Sequence, residues 1–235
     1  IQVFVRQKTV HPSQPFILAI GPLTGHYPLM SKTVCSFISP YHNQYTESHG
    51  GGRSALALFF TGYDALVIVG RAAGLCCLSI GSRHVQIKDT GFMKGMNSAN
   101  SGKLIRRMFK KSSGHRSILR IGPSGEIGSA MACINVDSYR HFGRLGGGAV
   151  MGIKNLKGLV INGDTSFPRP SGKAYPAVFK EVYGQVTSTD MMRKYYHLGT
   201  AVNLQGLNDI ESLPWHNLQQ TSNPAVSQIN GETFA

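Results

Sequence analysis

"HFGRLGGGAVMGIKNLKG", residues 141–158, holds six glycines, three of them consecutive, and three basic side chains, Arg144, Lys154 and Lys157. A tight turn needs one or two glycines, so a run this dense argues for main chain lying close against another surface. With that many cations beside it, the surface expected is large and anionic. The segment runs directly into "KGLVING" (157–163), a short β-branched stretch bounded by glycine, which reads as a strand. A glycine-rich loop feeding a strand sets the theme for the chain on either side.

Working outward, residues 1–165 read as mostly β with a few helices. Strands are expected at 1–5 ("IQVFV"), 16–20, 33–38, 65–70, 75–80, 84–88, 117–122, 130–136 and 157–163, each short and bounded by Gly, Pro or Ser. "GSRH" (81–84) reads as a hairpin turn. Helices are expected at "RSALALFFTG" (53–62) and "SANSGKLIRRMFKK" (98–111), the second with Leu104, Ile105 and Met108 on one face and its basic residues on the other. "GDTSFPRPSG" (163–172) marks a boundary. Beyond it Ala174, Val178, Val182 and Val186 recur every four residues behind a Ser171 cap, and a second helix runs from Asp190 to Gly199. The fold class expected is α+β: a β-rich N-terminal domain (1–165) of two packed sheets with a few helices, then the start of a helical second domain (166–235). The opening on "IQVFV" reads as a trimmed start with the first strands missing, and the helical part as truncated.

The formal net charge of +13 implies an anionic partner. It does not choose among nucleic acid, a membrane surface, an acidic protein and a phosphorylated cofactor. No run of 18 apolar residues is present, so no transmembrane helix is expected. Cys35, Cys76, Cys77 and Cys133 form no CxxC, and Cys76 and Cys77 stand on a strand with side chains to opposite faces. All four read as small core hydrophobes, which fits a reducing, cytoplasmic location. "HGGG" (49–52) lacks the G-x-S-x-G nucleophile elbow that a lipase oxyanion loop needs. The glycine runs match neither a P-loop nor a dinucleotide fingerprint, and the nine histidines show no metal-ligand spacing. No pair of carboxylates is spaced for acid–base work, so no catalytic residue is named. "RRMFKK" (106–111) reads as a solvated helix face rather than a nucleic-acid contact.

Several segments nevertheless hold together in order: "GPLTG" (21–25), "SP" (39–40), "HGGGRSALALFFTGYDALVIVGRA" (49–72), "IGPSGE" (121–126), the stretch 140–163, "GT" (199–200) and "LPWHNLQ" (213–219). In this the chain resembles the tungsten-containing aldehyde:ferredoxin oxidoreductase family over nearly its whole length. The resemblance implies a tungsten bis-molybdopterin cofactor, with molybdenum as the alternative metal, lying on the β-rich domain. It also implies a Mg2+ bridging the pterin phosphates, and a [4Fe-4S] cluster whose ligands lie outside this chain. Carried across, the cofactor-binding residues become Lys32, His49, Gly50, Gly51, Arg140, His141, Gly143 and Arg144. His49 and His141 would reach the Mg2+ by their backbone carbonyls. The chain departs from the family pattern with Lys32 in place of Arg, His49 in place of Asn, His141 in place of a small residue and Leu145 in place of Gly. Each of these is expected to add bulk or lose a bidentate contact beside the cofactor.

The activity implied is oxidation of an aldehyde to a carboxylic acid, with electrons passed to ferredoxin or another electron-transfer subunit; a homodimer is compatible, a membrane partner is not expected. Reduction of an aromatic thioester is an alternative within the same family. A cofactor-free scaffold or split subunit that keeps the fold is another. Nucleic-acid binding is permitted by charge but supported by no motif.

Overall fold

The computed structural model describes residues 11–109, 114–168, 170 and 172–234. The strand expected at 1–5, the Ser171 cap and the Lys110 and Lys111 end of the second helix lie outside the described residues. The chain forms two compact units, Ile1–Ser171 and Gly172–Ala235.

The first unit is built on two sheets. The four-stranded sheet has the order β3-β2-β1-β4, with β1 (Phe16–Ile20), β2 (Thr33–Ile38), β3 (Tyr45–Gly50) and β4 (Ala65–Ile68), all antiparallel. The six-stranded sheet has the order β6-β5-β10-β7-β8-β9. Its strands are β5 (Cys76–Ile80), β6 (Val85–Asp89), β7 (His115–Arg120), β8 (Ile134–Val136), β9 (Arg140–Phe142) and β10 (Leu156–Gly163). Its one parallel pair among the described residues is β10 with β5. All eight residues of β10 are buried, as befits a central strand covered on both faces.

The sheets are joined by one hydrophobic core. Phe16, Leu18, Cys35 and Phe37 come from one side, and Leu119, Ile134, Val136, Phe142, Leu159 and Ile161 from the other. Helix α1 (Ser54–Phe59) adds Ala57 and Leu58 to it. Helix α2 (Ser98–Met108) covers the outer face of the six-stranded sheet through a second cluster that includes Met93, Ile105, Phe109, Ile118, Val160 and Cys77. The Asn97 side chain caps α2 by accepting the Asn100 N–H at 2.8 Å. Cys76 belongs to the first cluster and Cys77 to the second, so the adjacent cysteines do point to opposite faces. Two short helices complete the unit, α3 (Pro123–Glu126) and α4 (Gly147–Ile153).

Differences from the sequence expectations have local causes. β3 was not expected because "YTESHG" carries no aliphatic residue; it leaves Tyr45 exposed and buries Thr46, Ser48 and Gly50 on alternate positions. β9 is three residues long with only Phe142 buried. The run expected at 130–136 forms a strand only over Ile134–Val136, and β7 begins two residues ahead of its expected start. The largest difference is α4. Glycine disfavours helix by about 1 kcal/mol per residue, yet Gly147 and Gly148 open this one, and six of its seven residues are buried.

The second unit contains α5 (Tyr175–Thr187), α6 (Asp190–Leu198) and α7 (Asn203–Asp209). The i, i+4 stripe expected on α5 is present, but no residue of that helix is buried and Val178 is 40% exposed. "LPWHNLQ" folds as a tight loop that brings Trp215 onto Gln220, with the Trp215 indole N–H donating to Asn208 at 3.1 Å.

Candidate functional site

The segments proposed as two binding loops come from different sheets, and the structure brings them side by side. Register pairs Thr33 with Gly50 and Val34 with His49, so Lys32 and Gly51 continue from the same end of the β2–β3 ladder. The buried hydroxyls of Thr33 and Ser54 hydrogen-bond at 2.8 Å, which holds the 51–53 turn between β3 and α1. From the other sheet, β9 runs up against this turn. By strand alternation Arg140 and Phe142 share one face and His141 takes the other. Phe142 packs its ring on Gly50, where an added Cβ would stand 2.7 Å from it. Arg140 lays its aliphatic stem beside Gly52, whose φ is +96°, and Gly51.

Loop 143–146 is anchored to the four-stranded sheet as well. The Ser39 hydroxyl donates to the Leu145 carbonyl at 2.8 Å, and Gly146, with φ +79°, sits against Pro40. This gives the "SP" pair its role: it ties the second glycine loop to the end of β2. Leu145 takes a left-handed φ of 74° and packs against the main core. The expectation that Leu145 adds bulk beside a ligand is therefore corrected, because its side chain is turned inward. Nothing lies within 4 Å of a Cβ built on Gly143, so the loop is open to solvent there.

The glycines of residues 146–152 have a different purpose from the one expected. A side chain at Gly148 would stand 2.5 Å from the Cys133 carbonyl, and one at Gly152 would run into the Gly125 carbonyl. They allow α4 to sit directly on the main chain of α3 and of residues 130–133. The two lysines of the segment are also internal. Lys154 is 2% exposed and donates to the carbonyls of Pro12 (2.7 Å), Gln14 (2.6 Å) and Gly70 (3.4 Å). Burial lowers it to a pKa of about 8. Lys157 is fully buried, paired with Glu126, and donates to Met96 O at 2.7 Å. Of residues 141–158, only His141, Gly143 and Arg144 are exposed.

The cations exposed at these loops are Lys32, Arg140 and Arg144; His49 and His141 are exposed too, but strand alternation turns His141 to the face of β9 opposite Arg140 and puts His49 on the solvent face of β3. Arg53, which sequence reasoning placed in a helix, is exposed in the same turn, immediately before α1. Its position inside "HGGGR" was the available signal. Among the described residues none of Lys32, Arg53, Arg140 and Arg144 enters an ion pair. Glu47 lies 3.9 Å from His49 Nε2 on the solvent face of β3. Among the described residues no group of three or more His, Cys, Asp or Glu comes together to hold a metal. The arrangement is an exposed glycine rim ringed by cations without acid partners. It fits a flat, multiply anionic ligand that brings its own metal ligands.

The two-sheet fold has counterparts among known proteins. Residues 3–163 match the family described as "Aldehyde ferredoxin oxidoreductase, N-terminal domain", and the chain belongs to that family of oxidoreductases. It is 31% identical, over 97% of its length, to a tungsten-containing aldehyde ferredoxin oxidoreductase of Pyrococcus furiosus, and spans 38% of that protein. It is 28% identical over 92% of its length to the WOR-like subunit of an aliphatic sulfonate oxidoreductase of the same organism, and spans 36% of it. Among solved structures it resembles the active-site complex BamBC of benzoyl-coenzyme A reductase bound to 1,5-dienoyl-CoA. The TM-score is 0.69 at 28% identity, covering 75% of this chain and 27% of the other. The two-sheet fold is that of this family. Among the described residues no helix is long and apolar enough to cross a membrane.

Proposed function

We propose that this chain forms the cofactor-bearing part of a tungsten-dependent oxidoreductase that converts an aldehyde and water to a carboxylic acid, two protons and two electrons. The tungsten bis-molybdopterin supplies the two-electron redox centre when bound. Lys32, Arg140 and Arg144 offset the charge of its phosphates, with Arg53 beside them. Gly51 and Gly143 let main chain approach the pterins without a side chain intervening. The backbone carbonyls of His49 and His141 would be the groups that hold an Mg2+ beside those phosphates, with no ligand role for their imidazoles. Phe142 on Gly50, and Ser39 on Leu145, hold the two loops in fixed register, so the cations are positioned before the ligand arrives. A [4Fe-4S] cluster would be the relay for the two electrons, with ferredoxin or another electron-transfer subunit as their acceptor.

One observation carries this reading: glycine loops from two sheets meet at one rim, and among the described residues the cations around it have no acid partners. The test is elemental analysis of the native protein purified without oxygen, with aldehyde-dependent dye reduction measured alongside. The expected result is near-stoichiometric tungsten with iron, and a fall of at least about tenfold in bound tungsten in Arg140→Gln and Arg144→Gln. A metal-free protein of unchanged stability in both variants would instead leave the fold as a cofactor-free scaffold. A second reading, reduction of an aromatic coenzyme A thioester, is favoured by the likeness to benzoyl-coenzyme A reductase. Turnover with an aromatic thioester and none with aldehydes would select it.

A further inference from the structure

Away from the glycine rim, a cleft of about 200 Å³ opens between α2 and the turn joining β8 to β9. Its polar lining is Lys103, Arg106, Arg120, Asp137 and Ser138. Arg120 pairs in register with Asn135, and Asn135 with His141, so Arg120 stands on the face of the sheet opposite to the one carrying Arg140 and Phe142. The cleft shares no residue with the rim described above.

The cleft is constructed around Arg120. That side chain is 7% exposed, and it reaches the cleft because position 102 in the middle of α2 is glycine: a Cβ there would stand 2.5 Å from Arg120 Nε. A mid-helix glycine costs about 1 kcal/mol relative to alanine, so this passage is kept at the expense of the helix. Arg120 donates from Nε to Ser98 O at 2.5 Å and from one terminal nitrogen to Asp137 O, which uses two of its five N–H groups. Arg106 and Lys103 are exposed, and among the described residues neither is in an ion pair. The single carboxylate, Asp137, is already engaged: its oxygens accept from Ser117 Oγ at 3.1 Å and from the Ile118 N–H at 3.0 Å. Burial lowers the pKa of Arg120, Asp137 pulls it back up, and Arg106 presses it down again. Three cations against one carboxylate leave an excess of two positive charges in the cleft.

We propose that this cleft binds one phosphate group, either free inorganic phosphate or the terminal phosphate of a small monoester. A phosphate carries about −1.5 to −2 at neutral pH, which matches the excess. Guanidinium forks hold such oxyanions bidentately. A water occupies about 30 Å³, so the cleft has room for one phosphate and some solvent.

The experiment is calorimetric titration of the full native protein with inorganic phosphate and, separately, with glycerol 3-phosphate, against chloride at equal ionic strength. Saturable binding of either is expected, and the tighter one identifies the source. The double variant Lys103→Gln with Arg106→Gln should weaken that binding at least about tenfold, because two charge-assisted contacts are lost. Both changes are on the surface, so its melting temperature without phosphate should equal that of the parent. Arg140→Gln should retain the same binding, which separates this cleft from the cofactor rim. No saturable heat with either anion at millimolar concentration, or equal affinity in the double variant, would overturn the proposal.

Discussion

Gly50 is where the two sheets touch at the candidate site, and the ring of Phe142 takes the space a side chain would need. Gly50→Ala should therefore cost about 1–3 kcal/mol in chemical denaturation. In a Phe142→Leu background the added penalty should shrink, since the two positions share one contact and will not be additive. An equal penalty in both backgrounds would show that the ring is not the obstacle. The cysteines allow a second test at this scale. Burial raises Cys35 well above the ordinary thiol value and Cys77 to about 11, while Cys133 is partly exposed. In the native chain a thiol reagent near neutral pH should label Cys133 first and leave Cys35 and Cys77 untouched until the protein unfolds. Early labelling of Cys77 would contradict its place under α2.

Among the elements, α4 and β10 meet at Lys154, whose ammonium ties residues 12, 14 and 70 together. Its folded pKa of about 8 lies below the ordinary lysine value of 10.5. Between those values the unfolded chain holds a proton that the folded chain has released, so this group makes stability rise with pH across that window. The slope it contributes should be about 1 kcal/mol per pH unit. It should be absent in Lys154→Met when denaturation curves are compared from pH 8 to 10. The elements also show what the sequence could and could not disclose. β1, β2, β5 and β10 announced themselves as short apolar or β-branched runs between breakers, and α2 by the spacing of Leu104, Ile105 and Met108. β3 and β9 did not, because their burial rests on Thr46, Ser48 and a single phenylalanine. At the candidate site, His49 to Gly51 and Arg140 to Arg144 were legible only through family resemblance. Nothing local shows that Arg140 from one sheet will lie along Gly52 from the other. Helix α4 was hidden for a related reason: its glycines serve close contact with Gly125 and Cys133, and such contact leaves no periodic trace.

For the whole molecule, the division at Ser171 and Gly172 leaves Lys173 exposed at the start of the second unit. Limited trypsin digestion should cut first after Lys173 and leave the β-rich unit intact by mass. A first cut inside residues 54–163 would show the sandwich to be the weaker part. The placement of β10 has a consequence in time as well as in space. It is the strand that joins β5 to β7, pairing in parallel with residues 76–80 and antiparallel with 115–120. Until residues 156–163 have emerged from the ribosome, the six-stranded sheet is two fragments. The β5–β6 hairpin and the β7–β8–β9 group each show an unpaired edge where β10 will insert. Pairings this distant in sequence form slowly, and open edges are templates for other chains. The growing polypeptide thus passes through an interval in which both of these edges are open, and the insertion of β10 ends it.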